Sequence, residues 1–150
     1  MTNDEIYMRR CIQLAMNGKK NAQPNPMVGA VLVSADGEIL GEGYHMRYGG
    51  PHAEVNCFRD AEANGYTDFS DATIYVSLEP CSHFGKTPPC ANLLVEKGVK
   101  RCVIGILDPN PQVSGRGVQI LRSAGIEVEV GVLEAECRDL NRRFLMLQEH

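Results

Sequence analysis

The run Pro51-His52-Ala53-Glu54 is followed, later in the chain, by Glu79-Pro80-Cys81 and then by Pro89-Cys90. One imidazole and two thiols make three donors, the number that leaves the fourth tetrahedral position of Zn²⁺ open to a water molecule. Glu54 is two residues from the histidine, close enough to serve that water as a base. These residue types and spacings predict one zinc ion per chain, held by His52, Cys81 and Cys90, with Glu54 as a catalytic proton carrier that does not bind the metal.

Residues two apart do not share a face of a regular helix. At a first turn this separation is useful, because the histidine can point at the metal while the carboxylate approaches the open position from the side. Cys81 and Cys90 each follow a proline, and Cys90 opens an expected helix whose positive N-terminal end favours thiolate over thiol. Two thiolates formally cancel the charge of Zn²⁺ and acidify its water less than three imidazoles would, so more of the proton transfer falls to Glu54. His-x-Glu followed by Pro-Cys and a further Cys is the pattern of zinc-dependent base deaminases, in which the glutamate shuttles protons while an amine departs.

Each element alone has an ordinary explanation. A lone His-x-Glu is common surface-helix composition, and Cys11, Cys57, Cys102 and Cys137 read as small buried hydrophobes. A purely structural zinc needs a fourth protein ligand, which His83 could supply, although Glu54 would then have no task. His45 could also be a ligand, but its loop position ahead of the metal helix better suits a substrate contact.

At 150 residues and 43% hydrophobic, the chain suits a single domain, 1–150, with a sizeable core. The net charge is -4, and no cluster of lysine and arginine offers a footprint for nucleic acid. The N-terminus has no apolar leader segment, and no apolar run approaches roughly 18 residues. A cytoplasmic protein with reduced thiols is expected, without nucleic-acid or membrane partners.

Thr2 to Glu5 resembles a capping box, and apolar residues recur at helical spacing until Gly18. Strands are expected at 28–34 and 38–44, joined by an Asp36-Gly37 turn. After a glycine-bearing loop, a helix over about 52–63 ends at Asn64-Gly65. Strands at 72–78, 101–107 and 126–130 then alternate with helices at about 90–97, 117–124 and 133–147. This order predicts an α/β fold, a three-layer α/β/α sandwich on a five-stranded mixed sheet whose later strands are parallel. Ligands in such sheets gather at the carboxyl ends of strands, where Glu79-Pro80-Cys81 and Asp108-Pro109-Asn110 both fall.

With these residues in place, the whole chain resembles the deaminase domain of the bifunctional riboflavin-biosynthesis deaminase/reductase, of cytidine deaminase-like fold. The matching stretches are Pro24 to Gly29, Gly43-Tyr44-His45 through Glu54, Leu78 through Cys90, Asp108 to Pro111, and Gly115-Arg116-Gly117. The separation of the cysteines is the specific part. Eight residues lie between Cys81 and Cys90, where cytosine-nucleoside, tRNA-adenosine and guanine deaminases usually have two.

The resemblance implies loss of the 2-amino group, as ammonia, from a diaminopyrimidinone carrying a ribosylamino 5′-phosphate. It also implies substrate roles outside the metal ligands. Lys86 would hold the phosphate as a point charge, Asn25, between two prolines, would hydrogen-bond the base or ribose, and His45, Asp108 and Asn110 would line the rest of the pocket. A solvated loop lysine and an Asn-Pro turn are the plain alternatives for Lys86 and Asn25. Family members usually continue past Leu140-Asn141-Arg142-Arg143-Phe144 into a reductase. Deaminase activity alone is therefore expected of these 150 residues, with the reductase on a further domain or a separate protein. Phe144, Leu145 and Leu147 could pack against a second subunit or such a domain. The competing functions are deamination of guanine, cytidine or tRNA adenosine, and a non-catalytic zinc-stabilised module that binds a nucleotide.

Overall fold

The computed structural model describes residues 1–18, 26–46, 50–82 and 89–142. Its elements are α1 (Asn3–Met16), β1 (Gly29–Val33), β2 (Ile39–Tyr44), α2 (Ala53–Ala63), β3 (Thr73–Leu78), α3 (Cys90–Lys97), β4 (Arg101–Ile106), α4 (Arg116–Ser123), β5 (Glu127–Val130) and α5 (Glu134–Leu140). The five strands form one sheet in the order β2-β1-β3-β4-β5. β1 pairs antiparallel with β2 and β3, whereas β3, β4 and β5 run parallel. The expected mixed sheet is the observed one.

Alternation along the central strands divides the core in two. Ala30, Leu32, Ile74, Val76, Cys102 and Ile104 face Phe58 and Ala61 of α2, Leu94 of α3 and Leu121 of α4. Val31, Val33, Tyr75 and Val103 face Met8, Cys11 and Leu14 of α1 and Cys137 of α5. Both faces are covered, so β1 and most of β3 and β4 are apolar throughout. This is the α/β/α sandwich.

Local chemistry accounts for the helix ends. The Thr2 side chain accepts the N–H of Glu5, and the Glu5 carboxylate accepts the N–H of Thr2, which completes the expected capping box. α3 ends on Gly98 in the left-handed conformation. The helix expected at 133–147 is observed over Glu134–Leu140; Phe144, Leu145 and Leu147 lie outside the described residues. No helix among the described residues is long and apolar enough to cross a membrane.

One close approach sets the position of the helix that carries His52 and Glu54. A Cβ on Gly43 would lie 2.5 Å from the carbonyl oxygen of Ala53. Glycine there lets the first turn of α2 rest directly on β2.

Candidate active site

His52 precedes α2 with an extended backbone, φ −72° and ψ 166°, and its carbonyl accepts the N–H of Asn56 at 3.1 Å. It therefore sits at the N-cap, one residue before the observed helix, although the sequence predicts a start at about residue 52, while Glu54 is in the first turn and buried. Across the sheet edge, β3 ends at Leu78 and delivers Cys81; Cys90 is the first residue of α3. The Nδ1 atom of His52 lies 3.4 Å from Cys90 Sγ and 3.9 Å from Cys81 Sγ. One ligand atom from each of the three residues falls within 4.8 Å of the others.

The start of α3 is fastened to Cys81 twice. The N–H of Cys90 donates to Cys81 Sγ at 3.1 Å, and the N–H of Ala91 donates to the Cys81 carbonyl at 3.1 Å. The helix end thus acts on the earlier cysteine, whereas the sequence alone directs it at Cys90. Without metal, the Cys90 thiol and the His52 ring beside it hold the Cys81 thiol down to about 4. Cys90 is pushed up, because Cys81 already carries the negative charge and burial adds to the cost of a second one. The bond to Cys81 raises His52. A divalent cation would displace the remaining thiol proton and take both sulfurs and the imidazole.

Burial lifts Glu54 to about 7, and the Cys81 charge pushes the same way. Its carboxyl accepts from its own backbone N–H and interacts with the Cys90 thiol. A buried acid so close to neutrality, next to a histidine and two cysteines that could hold a metal, is suited to exchanging protons at physiological pH.

His52, Glu54 and Cys81 share a cavity of about 260 Å³, which Cys90 itself does not line. Pro26, Val28 and Leu78 line it together with His45, His52, Glu54, Cys81 and Asp108. His45 is 4% exposed; its Nδ1 is 3.1 Å from the Pro51 carbonyl oxygen, and its ring stands edge-on to His52 with centroids 5.5 Å apart. Burial lowers its pKa, which favours the neutral ring. Asp108 reaches the cavity from the end of β4.

Asn110 is not among the lining residues. Its N–H donates to the Asp108 carboxylate at 2.9 Å, and its side-chain oxygen accepts the N–H of Gln112 at 3.0 Å. Both groups serve the turn after β4, as Asx residues commonly do. Asn25, Lys86 and His83 fall outside the described residues.

Sequence reading assigned no task to Glu79, although it stands inside the Glu79-Pro80-Cys81 signature. Its carboxylate is buried and receives three backbone N–H groups, from Asp108 at 2.9 Å, Gly115 at 3.0 Å and Val118 at 3.1 Å. It joins the end of β3 to the loop after β4 and to the start of α4. Gly117 permits this contact, since a Cβ there would collide with the Pro80 carbonyl. The available sign was an acidic residue in an otherwise apolar strand end, but its partners lie 29 to 39 residues away.

An α/β/α sandwich with one histidine and two cysteines gathered at strand ends around a buried glutamate defines a zinc-binding deaminase-type domain. Residues 1–106 match the model of the cytidine and deoxycytidylate deaminase zinc-binding region, and the chain belongs to that family. It is similar to the riboflavin biosynthesis protein RibD of Escherichia coli, 52% identical over 144 residues, covering 95% of this chain and 37% of that protein. It is also similar to the diaminohydroxyphosphoribosylamino-pyrimidine deaminase of Buchnera aphidicola, 45% identical over 143 residues, covering 94% of this chain and 92% of that protein. Among solved structures, Acinetobacter baumannii RibD superposes with a TM-score of 0.92 at 47% identity, covering 98% of this chain and 40% of that one. The chain thus spans less than half the length of the RibD proteins and nearly all of the Buchnera deaminase.

Proposed function

We propose that this protein deaminates 2,5-diamino-6-ribosylamino-4(3H)-pyrimidinone 5′-phosphate in riboflavin biosynthesis. The product is 5-amino-6-ribosylamino-2,4(1H,3H)-pyrimidinedione 5′-phosphate, and ammonia is released. The observation that carries the reaction type is the convergence of His52, Cys81 and Cys90 at the edge of a cavity that His52 and Cys81 line together with the buried Glu54. Likeness to the Buchnera deaminase over nearly the full length of both chains supports the substrate.

His52, Cys81 and Cys90 hold the zinc, which when bound supplies a water acidic enough to attack near neutral pH. Glu54 takes the proton from that water and gives it to a ring nitrogen as the new C–O bond forms. It then carries the proton of the newly added hydroxyl to the departing amine as the C–N bond breaks, so that the water's oxygen remains on the ring as a carbonyl and ammonia leaves. His45, largely neutral, and Asp108 orient the ring. Asn25 bonds the base or ribose, Lys86 holds the phosphate, and Asn110 acts through the turn it shares with Asp108. Residues 1–150 act as one cytoplasmic deaminase domain, without nucleic-acid or membrane partners. A reductase follows it in the pathway, on a further domain or a separate protein, and Phe144, Leu145 and Leu147 suit a contact with it or with a second subunit.

The test is zinc analysis combined with an ammonia assay on enzymatically prepared substrate. One zinc per chain and turnover of the phosphorylated pyrimidine are expected. Turnover of cytidine, guanine or tRNA in its place overturns the reading, and so does bound zinc with no turnover of any base.

A further inference from the structure

We propose that Asn141 is a positioning residue for substrate binding, because it fixes the Pro26–Val28 wall of the cavity; the inference rests on the reading of that cavity as the deaminase site. Asn141 follows α5, on the layer opposite to α2, and is 6% exposed. Its Oδ1 accepts the N–H of Met27 at 2.7 Å, and its Nδ2 donates to the Met27 carbonyl at 2.7 Å. The two bonds form a bidentate clamp on a single residue 114 positions away in the chain. An amide presents an acceptor and a donor side by side, which an ionised carboxylate does not.

Met27 stands between two residues that line the cavity, Pro26 and Val28. Pro26 has no N–H to donate, so among the described residues the Asn141 bonds to Met27 are the ones that hold the segment on that side. Farther along, the segment is secured independently. The Val28 carbonyl accepts the N–H of His45 at 3.1 Å, and the N–H of Gly29 donates to the buried Ser77 hydroxyl at 3.2 Å. Removing the clamp therefore loosens Met27 and the adjoining Pro26 while β1 stays paired. The same chain of bonds runs from Asn141 through Met27 and Val28 to His45, whose ring faces His52.

Two variants separate positioning from simple stability. Asn141→Ala removes both bonds; Asn141→Asp keeps the acceptor for the Met27 N–H but sets a carboxylate oxygen against the Met27 carbonyl. For both, the KM for the phosphorylated pyrimidine should rise about tenfold, the loss expected for one or two misplaced polar contacts, while kcat stays within about threefold. Zinc content should remain one per chain. An unchanged KM, whether or not the melting temperature falls, overturns the proposal.

A substrate-independent measurement distinguishes failure here from failure of the functional reading. In the zinc-loaded protein, hydrogen exchange at the Met27 amide should accelerate at least about tenfold in Asn141→Ala, and the His45 ring resonances should move. If the wild type turns over another base, the KM comparison is made with that base. Unaltered Met27 exchange and His45 resonances reject the coupling regardless of which substrate proves correct.

Discussion

The Glu79 carboxylate accepts the backbone N–H of Asp108 at 2.9 Å, which ties the residue after β3 to the residue that carries β4 into the cavity. With the further bonds from Gly115 and Val118, one buried side chain shapes the loop opposite the metal ligands. Glu79→Gln keeps one acceptor oxygen and turns the other into a donor facing the Val118 N–H. The expected result is a loss of about 2 kcal/mol of stability, as an N–H is left unsatisfied in the interior. Denaturant unfolding of the two proteins measures it, and an equal midpoint contradicts the assigned role.

Glu54→Gln should retain zinc and lose kcat by a factor of at least about a hundred, because the amide cannot carry the proton. Metal analysis and steady-state ammonia release on the same preparation decide the matter. Activity equal to the wild type removes Glu54 from the mechanism.

Cys81 in the metal-free protein is held near 4 by its neighbours, so it is a thiolate at pH 6, whereas burial pushes Cys11, Cys57 and Cys102 up. Iodoacetamide at pH 6 should therefore modify Cys81 first after zinc is removed by chelation, and zinc should protect it. Peptide mapping that found Cys11 or Cys57 labelled ahead of Cys81 would contradict this order.

Asp4 binds Arg101 through two hydrogen bonds of 2.8 and 3.0 Å and accepts the Tyr75 hydroxyl at 2.7 Å. The bond to Arg101, foremost, lowers its pKa below the ordinary 3.8. A carboxylate with a depressed folded pKa stabilises the protein above its unfolded pKa, and that contribution disappears as pH falls through the folded value. Asp4→Asn should cost about 1 kcal/mol at neutral pH. The gap in melting temperature from the wild type should narrow below about pH 4 and stay constant above pH 5. A gap independent of pH down to 3 would mean that the charge of Asp4 contributes nothing.

Much of the fold was legible because its signals are local. The capping box at Thr2, the Asp36-Gly37 turn, the Gly98 helix end and the apolar runs of β1, β3 and β4 are each decided by neighbours a few residues apart. The pair of hydrogen bonds from Asn141 to Met27 was less legible, since a polar residue after Leu140 gives no local sign of a partner 114 residues away. Asn110 is legible in two ways for a related reason. A polar residue at a strand end suits either a ligand or its own turn, and only its bond to the Gln112 N–H distinguishes them.

By itself the sequence determined the donor set and the sandwich that would bring it to the strand ends, because ligand chemistry and hydrophobic periodicity are properties of residue type and spacing. Tertiary structure alone decided that the first N–H of α3 points at Cys81, that Glu79 and Asn141 brace two segments that contribute to one cavity, and that Glu54 is buried enough to titrate near neutrality. Hydrogen bonds across 29 to 114 residues, and the desolvation of a carboxyl, depend on what surrounds a group in space.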